Sequence, residues 1–252
     1  LRRQRQMCIR DRIWVVQMLW IPFWAAGVIN GLGHWWGYRN YELPDASHNL
    51  TPWGLFIGGE ELHNNHHAFA ASAKFSTRRF EIDLGWMYIC LLSSLRLAAI
   101  HKTPPTIIRR EGRLHCDTET LRAVIANRFD ITSRFTREVL RKVCREETKH
   151  NRKLQSGQRL ILQRAVGLVQ EESRGLNMVA QRHLQTALEL SPRLAATYRA
   201  KIRLQAIWGR STANSDLLLQ QLEDWCNRAE SSGIEALREF AFQVRGSRLI
   251  EN

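Results

Sequence analysis

Three closely spaced histidines carry the clearest chemistry in this sequence. His63, His66 and His67 occupy positions i, i+3 and i+4 within the segment Gly58 to Ala68. On a helix these positions lie on the same side. Neutral imidazoles bind iron, zinc, copper or nickel, so the spacing predicts a metal site without choosing the metal.

A second group of polar residues precedes this triple. Asn30 and His34 are four positions apart, about one helical turn, at the end of a long apolar stretch. Polar groups at the end of a membrane helix need a partner, and a histidine there can reach the same metal centre as the triple. Glu60 and Glu61 could orient the imidazoles without binding the metal, or could be solvated.

The element that must position His34 is the stretch from Ile13 to Gly33, which contains no charged residue. As a helix rising about 1.5 Å per residue, it is long enough to cross a hydrocarbon layer of roughly 30 Å. The net charge of +13 is typical of proteins that bind nucleic acid or an anionic membrane surface. The alternative is a buried helix of a soluble protein, which three residues favour: Gln17, Pro22 and Asn30.

Composition predicts a boundary at the breaker Lys102-Thr103-Pro104-Pro105. Residues 13–105 are rich in Trp, Gly and His, whereas residues 106–252 are rich in Arg, Gln, Leu, Ala and Glu with helical spacing. Residues 1–12 resemble a translated sequencing adapter and are set aside, with a basic flank of the membrane helix as the alternative. The three parts are therefore 1–12, 13–105 and 106–252.

The last part is predicted to be a soluble helical tail. Ser191-Pro192 supplies a cap and a first-turn proline, and Asn214 or Ser215 can cap the next helix. A final helix after Gly233 places its apolar residues on one side. These residues are Ile234, Leu237, Phe240, Ala241 and Val244.

The segments NGLGHWWGYRNYE, from Asn30, and GGEELHNNHHAFAASAKF, from Gly58, resemble the last histidine box and its preceding helix in bacterial delta-9 acyl-CoA desaturases. The resemblance covers residues 13–105. It implies an all-α fold, with a transmembrane helix and cytosolic His-box helices followed by the soluble helical tail. It further implies that two Fe ions are held by histidines. The implied ligands are His34, His63, His66 and His67, with Asn30 contacting iron through a water.

The implied reaction introduces a cis double bond, at the delta-9 position, into a saturated acyl-CoA, with O2 as oxidant and two electrons. The cofactor iron performs the C–H cleavage, so no side chain beyond the metal centre is expected to be catalytic. The resemblance implies a ferredoxin-, rubredoxin- or reductase-type electron donor, and it leaves an acyl-lipid substrate open.

The family has two further histidine boxes on the amino-terminal side, which this chain lacks. We therefore expect the sequence to be a carboxy-terminal portion that is inactive alone. The implied location of the intact protein is the bacterial inner membrane, where it is multi-pass, with its His boxes and tail in the cytosol.

Basic residues near the histidines are candidates for binding the substrate or lipid headgroups. Arg39 could contact a substrate phosphate or could snorkel, and Lys74, Arg78 and Arg79 fit either coenzyme A phosphates or anionic headgroups. The apolar stretch from Leu84 to Ile100 predicts a helix lying in the plane of the membrane interface.

Two other functions remain open. A membrane hydroxylase or alkane monooxygenase would use the same histidines. A nucleic-acid-binding, transposase-derived module would be dominated by the tail, whose stretch from Leu217 resembles the end of certain insertion-sequence transposases. The tail has 26 Lys and Arg against 17 Asp and Glu, but they are dispersed and accompany no base-reading motif, so nucleic acid is not the expected partner.

Overall fold

The computed structural model describes residues 2–110, 112–150, 156–171, 175–209 and 214–250. Its contacts divide the chain into two compact units, Leu1–Pro104 and Pro105–Asn252. The described residues are mainly helical with a few very short strands, so the predicted all-α class is confirmed. Within the predicted segment 1–12, Leu1 lies outside the described residues.

The amino-terminal unit begins with a long apolar helix. Helix α1, Arg2–Pro22, continues directly into a π-helical segment, Phe23–Leu32. The winding changes after Pro22 because proline has no N–H to donate and its ring crowds the carbonyl four residues earlier. Among the described residues, Ile9–Leu32 is the one helix long and apolar enough to cross a membrane. Only 6% of its apolar 18-residue stretch is buried. An apolar helix exposed to this degree is consistent with association with lipid.

The rest of the amino-terminal unit consists of loops and short elements. Strand β1, Trp53–Gly54, pairs in parallel with β2, Ile82–Asp83, and the helices are α2, His63–Ala68, and α3, Leu84–Ser94. Asp83 caps α3 by accepting a hydrogen bond from the backbone N–H of Trp86 at 2.8 Å. Gly59 has φ +102°, and a Cβ there would lie 2.6 Å from Asp83 Oδ1. Only glycine fits this turn, which leads into α2.

The carboxy-terminal unit is a helical bundle with one small sheet. Strand β3, Ile107–Arg109, pairs antiparallel with β4, Ser247–Leu249. A second π-helical segment, Phe135–Leu140, joins α5 to α6. The helices are α4 (Thr118–Ala126), α5 (Arg128–Arg134), α6 (Arg141–His150), α7 (Ser156–Glu171), α8 (Met178–Leu190), α9 (Pro192–Trp208), α10 (Ser215–Glu230) and α11 (Glu235–Arg245).

Local signals in the sequence placed several of these helices correctly. The Ser191 hydroxyl accepts from the Leu194 N–H at 3.1 Å, and the Asn214 side chain accepts from the Asp216 N–H at 3.3 Å, so both predicted caps are confirmed. The apolar side predicted for the last helix is also confirmed, since all five of its residues are buried. Phe240, one of them, packs edge-on against Phe135 with ring centroids 5.1 Å apart.

Candidate metal centre

The structure brings three of the predicted histidines together. His34 follows the first π-helical segment, and His63 and His67 lie one turn apart on α2. Each offers a ring nitrogen, and these three nitrogens lie within 4.8 Å of one another. Among the described residues, this is the one group of three or more His, Cys, Asp or Glu side chains arranged to hold a metal.

His66 belongs to the same helix but points elsewhere. Its ring packs edge-on against Phe75, with centroids 4.7 Å apart, and its centroid lies 5.8 Å from that of His67. It therefore borders the group of three without joining it in this conformation.

The atoms of this cluster fit a metal ion. The Nε2 atoms of His34 and His63 are 3.1 Å apart, which is the separation expected of neighbouring ligands each about 2.1 Å from one ion. Within the described residues, Nδ1 of His63 and Nδ1 of His66 are buried without a hydrogen-bond partner. Burial, then the neighbouring His67, His34 and His66, lowers the pKa of His63 to about 4. Its imidazole is therefore neutral at pH 7, the form that binds metals.

Asp45 is a functional candidate that the sequence analysis missed. Its Oδ2 lies 2.8 Å from Nδ1 of His67. Partial burial alone would raise the pKa of Asp45, but hydrogen bonds involving Ser47 and His67 outweigh burial and lower it. A carboxylate bound to one ring nitrogen fixes the tautomer and leaves the other nitrogen free for a metal. The sequence gives no local signal, because the two residues are 22 positions apart.

The two asparagines between the histidines of the triple attach α2 to the preceding loop. Asn64 Oδ1 accepts from the N–H groups of Asn40 and Tyr41, each at 2.9 Å, and its amide donates to Ser47 O at 3.1 Å. Asn65 Oδ1 accepts from the amide of Asn49 at 3.0 Å. Asn64 and Asn65 are buried, so these bonds fix the position of the helix that carries the histidines.

Glu81 completes this network from the other side. Its carboxylate accepts hydrogen bonds from Asn40 at 2.6 Å, Asn65 at 2.9 Å and Tyr38 Oη at 2.8 Å. Burial, followed by the hydrogen bond to Glu81, raises the pKa of the Tyr38 phenol far above its ordinary value. Tyr38 therefore stays protonated and keeps its donor on Glu81. Neither Tyr38 nor Glu81 was recognised from the sequence.

The three other residues predicted near the metal differ in exposure and in hydrogen bonding. Asn30 is exposed, and Glu60 is half-buried. Glu61 is buried, and its Oε1 accepts from the backbone N–H groups of Phe56 at 2.6 Å and Ile57 at 3.1 Å. Glu61 thus holds the turn before α2, and no hydrogen bond to an imidazole is described for it.

The structure gives each of the predicted basic residues its own contacts or exposure. Arg39 donates to the backbone carbonyls of Leu43 at 3.0 Å and Asp45 at 3.1 Å, which stabilises the loop that carries Asp45. The guanidinium of Arg78 lies 5.5 Å from the centre of the Tyr41 ring. Lys74 is half-buried and Arg79 is exposed.

The chain is similar to curated desaturases over part of its length. Delta-9 desaturase-like 1 protein of Arabidopsis thaliana is 35% identical over 39% of this chain and 38% of its own length. The sn-1 stearoyl-lipid 9-desaturase of Anabaena variabilis is 38% identical over 34% of this chain and 29% of its own length. Delta-9 acyl-lipid desaturase 1 of Arabidopsis thaliana is 39% identical over 33% of this chain and 27% of its own length. The chain thus spans less than two-fifths of the length of these relatives, which support a desaturase family over about two-fifths of the chain. No solved structure matches the chain.

The carboxy-terminal unit matches a different family. A family model described as "Transposase" matches residues 121–248, slightly more than half of the chain, so the resemblance predicted from Leu217 extends over most of this unit. The chain therefore belongs to this transposase family through its carboxy-terminal unit, and about two-fifths of the chain is similar to delta-9 desaturases.

Proposed function

We propose that the amino-terminal unit carries part of the di-iron centre of a membrane fatty-acyl desaturase. The observation that carries this proposal is the convergence of His34, His63 and His67 in a segment similar to desaturases. An ordinary buried histidine would donate or accept a hydrogen bond through each ring nitrogen. Nδ1 of His63 and Nδ1 of His66 have no hydrogen-bond partner among the described residues, so these rings are not held as ordinary structural histidines are. The metal itself is assigned to the side of His63 that carries Nε2, which faces Nε2 of His34.

In this proposal His34, His63, His66 and His67 hold iron, and Asn30 contacts it through a water. Bound iron supplies the O2-dependent oxidation needed to remove hydrogen from an unactivated methylene group. Asp45 holds the His67 ring at Nδ1, and Glu81, Asn64 and Asn65 keep α2 in place. The chain's own residues therefore orient the ligands and transfer no proton.

We further propose a delta-9 double bond in a saturated acyl-CoA. Position 9 is supported by the names of the relatives, two of which specify lipid-linked substrates. An acyl-lipid is therefore the main alternative to acyl-CoA as the substrate. Electrons would come from a ferredoxin-, rubredoxin- or reductase-type donor, and the exposed helix Ile9–Leu32 would anchor the protein in a bacterial inner membrane with the histidines on the cytosolic side.

The test is expression of the complete reading frame in membranes, followed by measurement of bound iron and of monounsaturated product. Saturated acyl-CoA and saturated acyl-lipid are supplied in separate reactions. We expect His63→Ala and His67→Ala to lose both iron and product. His101→Ala is the matched control, since His101 is exposed outside the cluster and its replacement leaves both unchanged.

Three results would contradict parts of this proposal. A hydroxylated product with iron bound would assign the protein to the membrane hydroxylases or alkane monooxygenases. Product from acyl-lipid alone would overturn the acyl-CoA assignment. Absence of iron in the unaltered protein would overturn the metal centre.

The carboxy-terminal unit has a second candidate function, nucleic-acid binding, which the transposase match favours. Its excess of basic residues, 26 against 17 acidic residues, provides attraction for phosphates. Binding of a DNA duplex by the chain should then weaken steeply as salt concentration rises. Absence of duplex binding in dilute buffer would exclude this function.

A further inference from the structure

A basic cavity lies between α6 and α7 of the carboxy-terminal unit, far in sequence from the histidines. Its volume is about 440 Å³, within the range of small-molecule sites. Arg141, Arg145 and Lys149 line one wall, at positions i, i+4 and i+8 of α6. This spacing places the three cations on one side of the helix, along roughly 12 Å of its axis.

The positive charge of this wall is not neutralised within the described residues. No ion pair is described there for Arg141, Arg145 or Lys149. The acidic residues of the same helix are used elsewhere, since Glu146 and Glu147 both pair with Arg193, at 3.3 and 3.1 Å. Among the described residues, helix α6 therefore separates its acidic side chains from a row of cations that have no described ion pair and line a cavity.

The other lining residues complete a concave site. Cys144 and Val166 provide apolar surface, and Gln163 provides an amide. Gly167 adds open space, because a Cβ at this position would meet no atom within 4 Å. Three cations along one wall of such a space favour a small ligand with several negative charges.

We propose that this cavity binds a small ligand carrying a pyrophosphate group. Two guanidinium groups can each bind phosphate oxygens in a bidentate manner, and the Lys149 ammonium adds a third charge. A concave site of this volume has room for a diphosphate, whereas a DNA duplex would contact the outer rim and gain little from the interior. This proposal concerns the carboxy-terminal unit and does not depend on the metal centre.

The test uses the full chain in detergent micelles, with inorganic pyrophosphate as the probe and isothermal titration calorimetry as the measurement. We expect Arg141→Gln and Arg145→Gln each to weaken pyrophosphate binding about tenfold, as loss of one charge-assisted interaction predicts. The matched control is Arg199→Gln, because Arg199 is exposed on α9 and does not line the cavity. Its binding should equal that of the unaltered chain.

Thermal unfolding of each variant tests whether the bundle remains folded, and Lys149→Gln gives a third, independent measure at the same wall. If Arg199→Gln weakened pyrophosphate binding as much as the cavity variants do, the proposal would be overturned, because the pyrophosphate would then be attracted by the net charge of the chain and not by the cavity. Absence of pyrophosphate binding by the unaltered chain would also overturn it. So would displacement of pyrophosphate by a short DNA duplex that binds more tightly, since the cavity would then be part of a nucleic-acid surface.

Discussion

The two units bury apolar and polar side chains in different proportions. The carboxy-terminal unit has a continuous apolar core that includes Phe135, Leu222 and Phe240. Among the described residues, buried apolar residues outnumber buried polar ones in the carboxy-terminal unit, whereas the amino-terminal unit buries fewer apolar residues than polar ones. Its buried polar residues are Ser47, His48, Asn49, Glu61, His63, Asn64, Asn65, Ser72, Ser76, Glu81 and Asp83.

This difference indicates what each unit depends on. Apolar burial stabilises a bundle without regard to the direction of individual contacts. Buried polar groups stabilise a structure only when their hydrogen bonds are complete. The amino-terminal unit also exposes apolar side chains along α3, including Met87, Tyr88 and Leu91. We infer that its stability depends on partners, a metal ion and lipid, whereas the carboxy-terminal unit holds itself together.

The largest effect should follow from a cavity in the apolar core. Phe240→Ala removes a ring that contacts Phe135 and Trp225, and should lower the free energy of unfolding by about 3–5 kcal/mol. Phe242→Ala is the matched control on the same helix, since Phe242 is 51% exposed and should lose less than about 1 kcal/mol. Urea unfolding followed by circular dichroism measures both. Equal losses would contradict the assignment of the core.

The polar network should be sensitive to a change that preserves shape. Glu81→Gln replaces one of two accepting oxygens with an NH₂ donor, which then faces either Asn40 and Tyr38, at Oε1, or Asn65, at Oε2. We expect a loss of about 1–3 kcal/mol in the amino-terminal unit alone. Hydrogen exchange of peptides from both units measures it. If peptides from α10 and α11 exchanged faster as well, the independence of the two units would be contradicted.

Removal of the carboxylate beside His67 should affect metal binding more than folding. Asp45→Asn retains the size of the side chain but loses the charge that orients the ring 2.8 Å away. We expect metal affinity to fall about 10- to 100-fold, as is typical for carboxylates that support a ligating histidine. Titration with Co²⁺, whose visible spectrum reports coordination, measures the affinity. An unchanged spectrum and affinity would show that Asp45 does not position His67.

The sequence predicted local features far better than distant contacts. The caps at Ser191 and Asn214 were predictable because each is a bond between residues two or three positions apart. His63 and His67 were recognised from their spacing on one helix. The approach of Asp45 to His67 and of Glu81 to Asn40, 22 and 41 positions apart, depends on how the loops close, and no periodicity encodes it.

The short strands were missed for the same reason. Strands β3 and β4 come from opposite ends of the carboxy-terminal unit and contain only three residues each, too few to produce an alternating pattern. The extent of the resemblance between the tail and transposases was also underestimated. Because the basic residues are dispersed, nucleic acid was not the expected partner, whereas the transposase family match extends over residues 121–248.

The smallest predicted effect is a pH dependence of the stability of the carboxy-terminal unit, which arises from Glu223. Glu223 accepts from the Cys116 N–H at 2.7 Å and pairs with Arg245 at 3.2 Å. Partial burial raises the pKa of Glu223, but these hydrogen bonds and the positive charge outweigh burial and lower the pKa below its ordinary 4.5. The unfolded chain therefore binds a proton more readily than the folded chain, so this contribution is present above pH 4.5 and is lost as the pH falls further.

Glu223→Gln should accordingly lower the stability of the carboxy-terminal unit at pH 7 and reduce its loss of stability below pH 4.5. Hydrogen exchange of α10 and α11 peptides at pH values between 3 and 7 measures this dependence. Gln220→Ala, an exposed change on α10, serves as the control and should keep the pH dependence of the unaltered chain. If Glu223→Gln kept it too, the ion pair with Arg245 would contribute nothing, and the stability of this unit would rest on its apolar core alone.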